Sequence, residues 1–132
     1  MKITPDTNVL VRMLIQDDKR QARIAEAALL RAETIALTLP TLCELVWVLS
    51  RLYRFPLAHI AMAIRVLIGG AGVVIDGPAV DAGLEALDAG GDFADAVIAF
   101  EGRRLGGDVF VSFDKAVVEL LASRNQAARL LG

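Results

Sequence analysis

A single cysteine, Cys43, occurs in 132 residues, so no intrachain disulfide is possible and the fold must be held by its core. That usage suits a reducing cytoplasm. Cys43 lies in an apolar helical stretch and reads as a small core residue, not a nucleophile. His59 is the only histidine, among mixed neighbours, and reads as a surface or boundary residue rather than a catalytic base. Aromatics are few, and Trp47, Tyr53 and Phe55 are expected in the core or at a dimer contact rather than as base-stacking platforms. There is no surplus of positive charge. Fourteen Lys and Arg against sixteen Asp and Glu leave a net charge of −2, which argues against a broad polyanion-binding surface but not against meeting phosphate through bound cations. No apolar run approaches the ~20 residues of a spanning helix. The uncharged run Val66 to Ile75 carries three glycines, and the amino terminus has no secretory pattern. A soluble, cytoplasmic protein with no membrane association is expected.

What is abundant is aliphatic: hydrophobic residues make up 55% of the chain. The length suits one domain over 1–132 with one sizeable core, and so apolar a small domain is expected to keep some surface for a partner, such as a second copy. Strands are expected at Lys2–Asp6, Thr34–Thr38, Val73–Ile75 and Val109–Ser112, with Ala128–Leu131 as a fifth edge strand. Helices are expected at Val9–Ile15 with Asn8 as cap, at Asp17–Ala32, from Pro40 to Tyr53, from Pro56 to Ile68, from Pro78 to about Gly90, from Asp92 to Leu105 and at Ala116–Ala122. The Pro40 helix carries an apolar stripe of Leu42, Leu45, Val46, Leu49, Leu52 and Tyr53, with Glu44 off it. Pro5 sits awkwardly in the first strand, because proline has no ladder donor. Strands alternating with helices predict the α/β class with a mostly parallel sheet, whose ligands gather at the carboxyl ends of the strands.

The acids fall at such junctions. Asp6 ends the first strand, Glu44 lies early in the Pro40 helix, Asp92 and Asp95 open a helix three residues apart, and Asp114 follows the fourth strand. Two readings fit. Acids near helix starts serve as caps or complement the helix dipole. Acids converging at one sheet edge repel unless protons or cations compensate them, and all-oxygen ligands favour hard ions such as Mg²⁺ or Mn²⁺.

Four segments also resemble the ordered motifs of PIN domains, in particular VapC-type toxins of bacterial toxin–antitoxin pairs. They are Asp6-Thr7-Asn8-Val9-Leu10, Pro40-Thr41-Leu42-Cys43-Glu44-Leu45, Asp92-Phe93-Ala94-Asp95-Ala96-Val97-Ile98-Ala99 and Val111-Ser112-Phe113-Asp114. The resemblance runs along essentially the whole chain. It implies a three-layer α/β/α fold with a parallel sheet of four to five short strands. It also implies Mg²⁺- or Mn²⁺-dependent cleavage of RNA. By position, Asp6, Glu44, Asp95 and Asp114 become the catalytic, metal-holding quartet, Asp92 an auxiliary acid, and Asn8 and Ser112 polar residues that orient the acids. A homodimer and a cognate antitoxin whose peptide masks the groove are implied as partners. Pro5 departs from the pattern, where a residue able to donate to the sheet is more usual.

Arg12, Arg51, Arg103, Arg104 and Lys115 lie within a short helical reach of the acidic motifs and read either as RNA contacts or as solvated charge. Two other functions compete. A phosphatase with an Asp nucleophile after strand one would place a second Asp two residues on, where this chain has Asn8. A PIN-like module kept for binding alone would not need acids at all four motifs.

Overall fold

The computed structural model describes residues 1–132 and forms two compact units, Met1–Asp76 and Gly77–Gly132. The first unit runs β1 (Lys2–Ile3), α1 (Thr7–Ile15), α2 (Lys19–Arg31), β2 (Thr34–Ala36), α3 (Leu39–Arg51), α4 (Leu57–Ile68) and β3 (Val73–Val74). The second runs α5 (Gly77–Asp88), α6 (Phe93–Arg104), β4 (Phe110–Ser112), α7 (Lys115–Ser123) and β5 (Ala128–Leu130). This is the α/β class expected, with every strand pair parallel. Hydrogen bonding groups the five strands as β1-β2-β3 and β4-β5. No helix is long and apolar enough to cross a membrane.

In the first unit β2 is central, with Ile3 opposite Ile35 and Ile35 opposite Val73. Parallel neighbours need long crossovers, which α1–α2 and α3–α4 supply. The helices bury the stripes their spacing predicts: Leu10 and Val11 of α1, Ala22, Ala25 and Leu29 of α2, Leu42, Leu45, Val46 and Leu49 of α3, and Ile60 and Ile64 of α4. Leu52 departs from the expected stripe. It falls one residue past α3, where the helical register ends, and is 64% exposed. Trp47 is 54% exposed on the opposite side of α3, so it is not a core residue. Cys43 and Tyr53 are partly buried, and His59 is exposed.

Strand β1 stops at Ile3, three residues short of the expected end. Pro5 is buried but lies outside the ladder, as its missing N–H requires. The chain then turns directly into α1, which begins at Thr7 rather than Val9, and Asp6 rather than Asn8 is its cap. Asn8 is therefore already inside the helix and exposed.

In the second unit α5 and α6 pack as a pair against the fully buried Phe93. Gly83 permits the close approach: a Cβ there would overlap the Phe93 ring, which has no room to swing away. Because Phe93 is the first residue of α6, this contact anchors the helix end that carries Asp92 and Asp95. Strand β4 pairs with β5 from Phe110–Ala128 to Ser112–Leu130, so the tail forms the strand expected of it.

Gly83→Ala adds about 1 kcal/mol of helix propensity, yet is expected to lower stability by about 1–2 kcal/mol net through overpacking. Denaturant unfolding measures this, and combining it with Phe93→Leu should recover part of the loss. A Gly83→Ala chain as stable as wild type would show that Phe93 is free to move.

Candidate active site

Each acidic motif residue except Glu44 and Asp95 is an N-cap. The Asp6 carboxylate accepts from the Thr7 N–H at 2.7 Å, Asp92 from the Asp95 N–H at 2.9 Å and Asp114 from the Ala116 N–H at 2.9 Å. All three use Oδ1, which leaves Oδ2 of each carboxylate out of the cap. Capping and ligand binding are therefore not rival uses of these residues, since the cap engages only one oxygen of each carboxylate. The fixed side chain also loses less rotamer freedom when it takes up a ligand.

In the first unit, Asp6 is exposed at the carboxyl side of β1. Glu44 is exposed in the second turn of α3. That helix follows β2 and is capped by Thr38, whose hydroxyl accepts from the Thr41 N–H at 3.3 Å and donates to Thr41 Oγ1 at 3.0 Å. Thr38 is a residue that sequence reasoning passed over, although a threonine two positions before Pro40 is a legible cap signal.

In the second unit the third and fourth motifs come within electrostatic range. Asp95 is partly buried, and burial raises its pKa above the ordinary 3.8, with the negative charges of Asp92 and then Asp114 adding to the rise. Ser112 Oγ accepts from the Asp114 N–H at 2.9 Å, which ties the end of β4 to the start of α7. The neighbouring Ser112 C=O accepts from Leu131 N–H at 2.8 Å, so the turn is held from both strands.

Oxygen ligands suit a hard divalent ion by type, and Asp92 and Asp114 both add negative charge around Asp95, but no three or more Asp, Glu, His or Cys side chains are gathered closely enough to hold an ion. The cations singled out by sequence are placed variously. Arg12 bonds Asp17 at 3.0 Å, Lys115 lies 3.7 Å from Glu119, and Arg51 is exposed at the end of α3. Arg103 donates to Gln126 Oε1 at 2.9 Å and lies with Arg104 over the Phe100 ring.

A family model described as PIN domain matches residues 3–121, a span that includes all four acidic motifs. No curated protein and no solved structure matches the chain.

Two stability measurements test this geometry. Asparagine caps as well as aspartate, so Asp92→Asn should leave Tm nearly unchanged, while Asp92→Ala should cost about 1 kcal/mol. Equal effects of the two would remove the cap. For Asp95, a raised pKa means that the folded chain binds its proton more tightly than the unfolded chain. Its favourable contribution is present below the ordinary value of 3.8 and is lost as pH rises through the raised value. In metal-free buffer Asp95→Asn should therefore be more stable than wild type at neutral pH. That advantage should shrink as pH falls toward 3.8, and a constant difference across this range would contradict the assignment.

Proposed function

The chain belongs to the PIN-domain family, and on that footing we propose that it is a metal-dependent endoribonuclease, the toxin of a VapC-type toxin–antitoxin pair. The observation that carries this reading is the family match over a span that holds all four acidic motifs, with Asp95 partly buried and close to the negative charges of Asp92 and Asp114. Burial and neighbouring negative charge disfavour the charged form of Asp95, the kind of perturbation that gathers at functional sites.

Asp6, Glu44, Asp95 and Asp114 would hold Mg²⁺ or Mn²⁺. Bound there, the ion supplies positive charge to the scissile phosphodiester and makes water acidic enough to attack at neutral pH. Asp95 or Asp114 would orient the attacking water, Asp95 from a partly buried position near Asp92 and Asp114. Asp92 fixes the first turn of α6 and adds negative charge beside Asp95. Ser112 fixes the backbone at Asp114, and Asn8, two residues past Asp6, offers a neutral amide at the same helix start. Attack proceeds in line on phosphorus, and the leaving oxygen departs protonated by water. A homodimer, a cognate antitoxin that masks the groove and a cytoplasmic location belong to the same proposal.

Asp6→Asn and Asp95→Asn should each lower Mg²⁺-dependent RNA cleavage by at least about 100-fold, with circular dichroism unchanged. EDTA should abolish cleavage and Mn²⁺ restore it. Full activity in both variants overturns the proposal. Failure of calorimetric Mn²⁺ uptake together with failure to cleave would favour a module kept for binding alone.

A further inference from the structure

The acidic motifs supply no positive charge to hold a polyanion, and the chain as a whole carries none in excess. One cleft departs from that balance. It lies between α1 and α2, with a volume of about 540 Å³. Asn8, Val9 and Arg12 line one wall, at helical spacing along α1, and Arg20, Gln21 and Ile24 line the other. No aspartate or glutamate lines it. Arg12 is steadied by one bond from Nη1 to Asp17 at 3.0 Å, which leaves its other N–H donors for a second acceptor. Arg20 is exposed and makes no ion pair; Asp17, Asp18 and Glu26 balance Lys19, Arg20 and Arg23 along this stretch, so the cleft's positive character comes from the two arginines that line it.

Asn8, which lines the cleft, lies two residues after Asp6 in sequence, on the helix that Asp6 caps. Its chemistry is mixed in a specific way. Two guanidiniums suit phosphate oxygens, two side-chain amides suit hydroxyls or base edges, and Val9 and Ile24 give apolar surface for a sugar or base face. We infer that the α1–α2 cleft binds the sugar–phosphate backbone of single-stranded RNA, with Arg12 and Arg20 on phosphates. This assignment rests on the ribonuclease reading and names the surface that holds its substrate.

The test is binding of a fluorescent, mixed-sequence single-stranded RNA to the full chain in EDTA, where nothing is cleaved, over a series of salt concentrations. Wild type should bind with a strong salt dependence. Arg20→Ala and Arg12→Gln should each weaken binding several-fold and each flatten the slope of log K against log salt by about 0.7. Arg20→Lys, which keeps the point charge, should retain the slope. Arg54→Ala, outside the cleft, should change neither quantity, and calorimetric Mn²⁺ uptake should be the same in all variants. RNA binding that is intact in both cleft variants overturns this assignment and leaves the nuclease reading standing. Wild type that neither binds nor cleaves RNA overturns both. Cleft variants that bind RNA normally but lose affinity for an acidic peptide would move the cleft to a protein ligand, which also overturns it.

Discussion

Parallel strand pairing is the constraint on which the rest depends. A parallel neighbour cannot be reached by a tight turn, so β1, β2 and β3 are each separated by a pair of helices. Every strand of that sheet then ends on the same edge, and the chain leaving β1 or β2 must start a helix there. Helix starts carry unsatisfied N–H groups, so those positions select oxygen-bearing side chains: Asp6 after β1 and Thr38 after β2. The same rule places Asp114 after β4. Backbone topology thus creates places for acids before any chemistry is asked of them.

The energetic conflict lies at Asp95. Most of the acids are exposed caps whose charge is welcome at a helix start. Asp95 is partly buried in the first turn of α6, and it feels Asp92 and Asp114 as well. The buried Phe93 ring packs closely on Gly83 in the same turn and anchors it. A well-packed apolar anchor and an unfavourable charge therefore sit two residues apart, an arrangement typical of sites where local stability is given up for function.

Capping and ligand binding looked like competing explanations for the acids when only residue types were known. The structure removes the competition for Asp6, Asp92 and Asp114, because each spends a single oxygen on its backbone partner. A cap of this kind also orients the remaining oxygen, so local helix chemistry prepares the side chain for whatever it meets.

Much of this protein was legible without coordinates. Alternation of short apolar strands with amphipathic helices determined the α/β class, and the stripes at Leu42–Leu49 and Ala22–Leu29 determined which helix faces are buried, because periodicity is a local property. The four acidic motifs were likewise readable in order. Tertiary structure decided what periodicity does not encode. It cut β1 short before Pro5, passed the α1 cap from Asn8 to Asp6, left Trp47 and Leu52 exposed, and set Asp95 within the field of Asp92 and Asp114. Those outcomes depend on where an element stops and on what packs against it, and both are settled by contacts between residues far apart in the chain.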